Sequence, residues 1–327
     1  MKSKFYVCLM LVFVCSVIIA VVPSADAAYP ERPVEIVVHS AAGSGTDTFA
    51  RTMAAILAKE KIIKQRMVIS NRVGGGGVVA MDYLASQKGN PHVLGITTAS
   101  PLFTIIRKVS VLRWEDITWI SNLGFDPSYV TAKYDAPYKN LKELVAWSKT
   151  IGRDVNLAIG SVGGFDHIAA YRLGQTSGMK VNIIGFGGSA PSAVALLGGH
   201  ADIRVGVWDH TMEPEAKQLR ALSINAAERN SQAPDIPTSR EEGFDVTGAQ
   251  YRGFMAPPDF PDYAIKFWED ATKRLANSLE FQKYLAKNNV IARYMPSKEI
   301  KATMDEIAGT VGEDLKKLGL FEEKKKK

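Results

Sequence analysis

The sequence predicts an α/β protein of two lobes facing each other across a cleft, and three observations carry that prediction. Short β-branched runs alternate with stretches of helical periodicity, the pattern of parallel βαβ units. Loops of glycine, serine and threonine follow one strand after another. A late extended run, residues 248–255, is placed to carry the chain back to the lobe where it began.

Taken in order, residues 34–38 read as a strand and residues 46–59 as a helix, with Phe49, Met53, Ile56 and Leu57 at helical spacing. Between them lies His39-Ser40-Ala41-Ala42-Gly43-Ser44-Gly45-Thr46-Asp47. Strands at 67–70 and 92–97 and a helix at 77–87 complete the opening unit. The glycine run at 74–77 and the exit Thr97-Thr98-Ala99-Ser100-Pro101 leave the same sheet edge, with Ser100 read as a helix cap. Residues 117–122 read as a strand, 125–128 as a bend and 129–133 as a new extended run, so the crossover to the second lobe is placed there. In that lobe Asn140 caps a helix, residues 155–159 form a strand, and Gly160-Ser161-Val162-Gly163-Gly164-Phe165-Asp166-His167 leads into the next helix. Strands at 181–184, 203–207 and 219–224 follow, with Gly185-Phe186-Gly187-Gly188-Ser189 opening a helix at 190–197. Thr238 is expected to cap a short helix, and Phe165, Tyr171 and Phe186 to be core. Residues 263–277, 279–286 and 297–318 are helical. The expected division is 1–27 signal peptide, 28–125 with 250–327 as lobe 1, and 126–249 as lobe 2.

The N-terminus sets the compartment. Lys2 and Lys4 precede an apolar run over 5–22, and Ala25-Asp26-Ala27 follows. A positive start, an apolar middle and an Ala-x-Ala end describe a secretory signal, cleaved near Ala27. A periplasmic, exported chain is expected. Both cysteines, Cys8 and Cys15, lie in this segment, so the mature chain has no disulfide and no thiolate nucleophile. The net charge of +6 is diffuse, which argues against nucleic acid as a partner.

The glycine-rich loops point to an anion site. Glycines let the backbone approach a ligand, and the free N–H groups of a helix start attract anions. The loop at 39–47 is expected to supply one jaw and that at 160–167 the other. Ser44, Gly45, Thr46, Ser161, Val162, Gly163 and Gly164 are the candidate donors, with Thr98, Ser100, Gly187 and Gly188 as a second ring. His167 is a packing or orienting histidine that could also reach the ligand, and Asp209 could hold an amino group or cap a helix. Asp47 at a helix start is expected to be structural. A hydrogen bond to a charged group nets about 1.5–3 kcal/mol. Micromolar binding needs about 8 kcal/mol. Four or five such donors with lobe closure therefore suffice without a fixed cation.

The ordered series of motifs resembles the extracytoplasmic solute-binding proteins of tripartite tricarboxylate transporters, the Bug family. It is carried by Tyr29-Pro30-Glu31-Arg32-Pro33 with the loop at 39–47, Asn71-Arg72 with its four glycines, and Gly160-Ser161 with Gly163 and His167. Gly187-Gly188-Ser189-Ala190-Pro191, Leu197-Gly198-Gly199-His200-Ala201-Asp202, Ala227-Glu228-Arg229 and Pro234-Asp235-Ile236-Pro237-Thr238 with Glu242-Gly243-Phe244 complete it. The resemblance implies a type II periplasmic-binding-protein fold, with a small mono-, di- or tricarboxylate held between the lobes and passed to membrane permease subunits by a monomer. It implies no catalysis and no cofactor. The chain departs from the family pattern in the 39–47 loop, which lacks two prolines, and at Tyr251-Arg252, where an aromatic pair is the family's habit. Arg252, if it faces the cleft, could pair with a second ligand carboxylate.

Other chemistries find less support. The opening loop lacks the third glycine of a dinucleotide fingerprint, and no Gly-Lys-Ser/Thr phosphate loop occurs. Ser161, His167 and an Asp have no Gly-x-Ser-x-Gly elbow around them. The five histidines are scattered without metal-ligand spacing. A sensor presenting its ligand to a signalling receptor would use the same cleft, and an exported enzyme is the remaining reading.

Overall fold

The computed structural model describes residues 29–160, 162–208 and 217–320. The expected signal segment, Ser161 and Asp209 lie outside the described residues.

Ten strands form one sheet in the order β2-β1-β3-β9-β4-β7-β5-β6, with β8 and β10 also pairing β4. Lobe 1 opens with β1 (Val34–Val38), α1 (Gly45–Lys59), β2 (Met67–Asn71), α2 (Val78–Ser86), β3 (Val93–Thr97) and α3 (Ala99–Ile106). Strands β1, β2 and β3 run parallel. Alternate residues of β1 enter different cores. Val34, Ile36 and Val38 join Phe49, Met53 and Trp268 on one face, and Val37 joins Met81 and Leu84 on the other. Helices cover both faces, which is why the strand is apolar at every position but Glu35, whose half-buried carboxylate accepts from Arg72 and Tyr83.

The crossing is made by β4 (Thr118–Lys133). Its first half pairs with β9 (Ala249–Ala256) and β10 (Ile291–Pro296), and from Ser128 onward it pairs with β7 (Ile203–Gly206) and β8 (Leu219–Asn225). The bend expected at 125–128 is therefore a continuous strand. Pro127 stays in register opposite Ala249, and the N–H of Ser128 bonds to the Gly248 carbonyl at 2.8 Å, so pairing continues past the residue that lacks a donor. Strand β9 lies antiparallel between β3 and β4, which makes it the return crossing.

Lobe 2 contains α4 (Leu141–Ser148), β5 (Val155–Ile159), α5 (Phe165–Ser177), β6 (Val181–Gly185) and α6 (Ser189–Leu197), with β5 parallel to β6 and β7. Asn140 caps α4, its side chain accepting from the Glu143 N–H at 2.8 Å. Thr238 accepts from the Glu241 N–H at 3.1 Å, but it heads a turn rather than the expected helix. The described residues end in lobe 1 with α7 (Asp262–Ala276), α8 (Leu279–Lys287) and α9 (Ser297–Lys317). Helix α5 also reaches across the lobes. Ile168 is buried in the lobe 1 cluster with Leu102 and Leu315, and Arg172 meets Asp314 of α9 at 2.7 Å.

Candidate functional site

A cavity of about 220 Å³ lies between the lobes. That is below the roughly 300–1,000 Å³ usual for drug-sized ligands, so it suits a small molecule. Residues from the first turns of four helices line it: Gly45 and Thr46 of α1 with its cap Ser44, Ser100 of α3, Phe165 and Asp166 of α5, and Ser189 of α6. Ser40 and Gly160 add strand ends, Gly206 and Val207 the end of β7, and Gln250 and Arg252 the return strand β9. Each helix follows a strand of the sheet, so the first turns gather at the strands' carboxyl edge, where open α/β sheets bind ligands.

The lobe 1 loop is braced from behind. Ser44 caps α1, its hydroxyl taking the Asp47 N–H at 3.3 Å and meeting the Ser40 hydroxyl at 2.6 Å. Asp47 turns back into the protein and is 1 % exposed. It accepts from the Gly43 N–H, from Arg51 Nε and from Asn71 Nδ2, each at 2.9 Å. The Arg51 bond above all pulls its carboxyl down to about 2, with the Gly43 and Asn71 bonds adding to it. The expectation of a structural Asp47 agrees with this arrangement. A helix start leaves its first N–H groups without intrahelical partners. Of those in α1, the Asp47 N–H goes to Ser44 Oγ and the Thr48 N–H to Ser44 O, which leaves Gly45 and Thr46 beside the cavity.

The lobe 2 loop uses three of its N–H donors on itself. The Gly163 N–H bonds to His167 Nδ1 at 2.9 Å. The Gly160 N–H bonds to Asp166 Oδ2 at 2.5 Å, and the His167 N–H to Asp166 Oδ1 at 3.1 Å. Burial lowers the His167 pKa, which favours the neutral ring, and accepting at Nδ1 puts its proton on Nε2.

Two charged groups stand at the rear. Arg252 sits on β9 with its guanidinium paired to Asp126, Nε to Oδ2 at 2.7 Å. Arg252 Nη1 and Asp126 Oδ1 are shielded from solvent and make no hydrogen bond. His39 lies near, 3.4 Å from the Thr98 hydroxyl. Burial, and then repulsion from Arg252, pushes its pKa down to about 4, so it is neutral at physiological pH. In lobe 2, Arg204 is fully buried and donates to the Ser192 hydroxyl at 2.9 Å, to Ser189, and to the Val207 carbonyl at 3.2 Å.

The comparisons with known proteins fit this geometry. The family model described as the tripartite tricarboxylate transporter family receptor matches residues 49–320. The chain belongs to this family. Its members are periplasmic solute-binding proteins rather than enzymes. Protein BugT of Bordetella pertussis is 29 % identical over 255 residues, 75 % of this chain and 76 % of BugT. A TctC solute binding protein from Polaromonas is 25 % identical, with a TM-score of 0.76 over 88 % of this chain and 99 % of that one. The MatC protein of Rhodopseudomonas palustris, with bound malate, shares the fold at 24 % identity, with a TM-score of 0.70 over 88 % and 98 %. The fold is thus the type II periplasmic-binding-protein fold that the motif order implied.

Within this receptor fold, the structure brings Ser44, Gly45, Thr46, Ser100 and Arg252 to the cavity wall. Thr98 is fully buried beside His39, as the N-cap of α3, and Ser100 stands within the helix rather than capping it. Val162, Gly163, Gly164, His167, Gly187 and Gly188 flank the cavity's lobe 2 wall without lining it, and Val162 is 61 % exposed. Phe165, expected in the core, is half-buried at the wall, and Phe186 is half-buried as well. Sequence reasoning missed Ser40, Gly160, Asp166, Ser189, Gly206, Val207 and Gln250. Four of these lie inside loops already singled out. Gly206, Val207 and Gln250 come to the cavity through β7 and β9, and only the strand order places them there.

Proposed function

We propose that the protein captures a small carboxylate in the cleft between its lobes and delivers it to the membrane components of a tripartite tricarboxylate transporter. The observation that carries this is the meeting of four helix first turns on one small cavity. A helix start contributes about 0.3–1 kcal/mol to an anion at an exposed site, and up to about 2 kcal/mol when partly buried. Four such starts and the hydroxyls of Thr46 and Ser100, at about 1.5–3 kcal/mol per hydrogen bond to a charged group, together reach the range micromolar binding requires. Among the described residues the wall contains no lysine, and its arginine is held by Asp126, so the charge of the ligand is met chiefly by N–H and O–H donors.

Arg252 raises the local potential and excludes a proton from His39, and a second carboxylate on the ligand would have to draw it away from Asp126. Closure would turn on β4 and β9, the strands that join the lobes, with residues 128–248 moving against the rest. The malate seen in MatC motivates the first compounds to try. A melting-temperature panel of C3 to C6 mono- and dicarboxylates tests the reading, because a ligand that binds only the folded state raises stability. At 100 times the Kd the gain is about 2.7 kcal/mol. A stabilising acid is expected, and a panel without one would end this account of the cleft.

A further inference from the structure

A second and larger cavity, about 520 Å³, lies on the far side of α1 from the cleft. It is a groove between two helix faces, Arg51, Ala55 and Lys59 on α1 and Glu280, Lys283 and Lys287 on α8. Two contacts set the helices' direction. Lys59 pairs with Glu280, and Phe49 packs against Tyr284 with ring centroids 6.2 Å apart. The C-terminal end of α1 therefore meets the N-terminal end of α8, and the helices run antiparallel. One end of the groove is closed by the Lys59–Glu280 pair. The other end gathers Arg51, Lys283 and Lys287.

Two of these three cations lack an ion-pair partner among the described residues, and the third is only partly engaged. Among the described residues Lys283 and Lys287 make no ion pair, and Arg51, 52 % exposed, gives only one edge of its guanidinium to Asp47 and Asn71. The Tyr284 ring forms the floor between them, with Ala55 and Ile56 beside it. Scattered surface lysines are ordinarily solvated on a convex face. Here the charges converge on a concavity with an apolar floor, where a bound anion would lose less of its attraction to screening.

We propose that this groove is an interaction surface for an acidic segment of a protein partner. Lys283 and Lys287 are four residues apart on α8, a rise of about 6 Å. Alternate residues of an extended chain are spaced about 6.6 Å apart, so a Glu-x-Glu or Asp-x-Glu stretch places successive carboxylates against both lysines. The stems of the lysines and Ala55 cover the peptide backbone. A concave groove with three cations fits a narrow chain better than a flat lipid surface, which would need a broad or convex basic face. The surface also touches the cleft's support. Arg51 is the residue that braces Asp47 and so the Gly43–Thr46 turn, and a partner carboxylate on Arg51 draws on the same guanidinium. The inference stands apart from the carboxylate reading of the cleft, since it concerns the opposite face of α1.

The test is fluorescence anisotropy with a labelled hexaglutamate peptide and the mature protein. Saturable binding that weakens as salt is raised from 20 to 300 mM is expected, because exposed charge pairs are screened over about 10 Å at 0.1 M. The double variant K283E/K287E should bind at least tenfold more weakly at an unchanged melting temperature. A second pair on lobe 2, K142E/K180E, changes the net charge equally and should bind like the wild type. Three results would overturn the proposal: no saturable binding, equal loss in both double variants, or binding to phosphatidylglycerol vesicles without binding to the peptide.

Discussion

The two jaws of the cleft are built from similar sequence and behave differently. Gly43-Ser44-Gly45-Thr46-Asp47 and Gly163-Gly164-Phe165-Asp166-His167 each place an aspartate in the first turn of a helix after a glycine pair or near-pair. In lobe 1 the aspartate faces backward into Arg51 and Asn71, and its helix start is left open toward the cavity. In lobe 2 the aspartate faces the cavity wall and holds the Gly160 and His167 N–H groups, while His167 takes that of Gly163. The two aspartates turn to different groups: Asp47 takes the Gly43 N–H, Arg51 and Asn71, and Asp166 takes the Gly160 and His167 N–H groups. On the proposed carboxylate reading, the brace behind Asp47 would make the Gly45 and Thr46 N–H groups the anion's first support.

The largest effect should come from charge placed in the open jaw. Gly45 has ordinary backbone angles and no atom within 4 Å of where a Cβ would stand. Gly45→Asp should then fold normally, with a melting temperature near the wild type's, and lose carboxylate affinity by about 100-fold, or ~2.7 kcal/mol. Isothermal titration reads it, and wild-type affinity would put the anion elsewhere. Gly163 cannot be used the same way. Its φ is +77°, and a Cβ there would lie 3.3 Å from Arg107 Nη1, so a substitution disturbs the backbone before it reports on binding.

Removing the brace comes next. Asp47→Ala leaves the Gly43 N–H without its acceptor and removes one of the two acceptors of Asn71 Nδ2, and should cost about 1–3 kcal/mol of stability in denaturant titrations. It should also weaken binding, by about tenfold if the open jaw depends on the brace. His167→Ala is the matching change in lobe 2. It orphans the Gly163 N–H and should cost about 1–2 kcal/mol of stability. Affinity should move less than about threefold. A loss of affinity as large as that of Asp47→Ala would make the two jaws equal partners and contradict the asymmetry.

The smallest effect is in pH. The folded pKa of His39, about 4, lies below the ordinary value near 6.5. Between those values the unfolded chain binds a proton that the folded protein does not, so stability falls as pH drops from about 6.5 to 4 and then levels off. His39→Gln should make that fall shallower. It should not abolish it, because burial pushes His92 and His167 in the same direction. An unchanged slope would mean that His39 is not held neutral in the folded state.

Most helices and parallel strands were legible because their signals are local: β-branched runs, Asn140 as a cap, and apolar spacing in α1. The first jaw was legible for the same reason, since Ser44, Gly45 and Thr46 occupy a strand-to-helix turn whose geometry follows from neighbours in sequence. What was missed depends on distance. Pro127 suggested a bend, but β9 and β10 on one side and β7 and β8 on the other hold the strand straight through it. Arg252 could be placed at the cleft, but its commitment to Asp126 needs the pairing of two strands 126 residues apart. The self-bonding of the Gly160, Gly163 and His167 N–H groups in the second jaw depends on where the Asp166 and His167 side chains turn, and no spacing rule for loops decides that.

The most direct test is mass spectrometry of whatever small molecule leaves the exported, gently purified protein on denaturation. A small organic acid in near-stoichiometric amount is expected from the wild type and its absence from Gly45→Asp. An acid retained equally by both proteins, or a bound compound with no carboxylate, would contradict the assignment of the lobe 1 helix start as the anion's principal support.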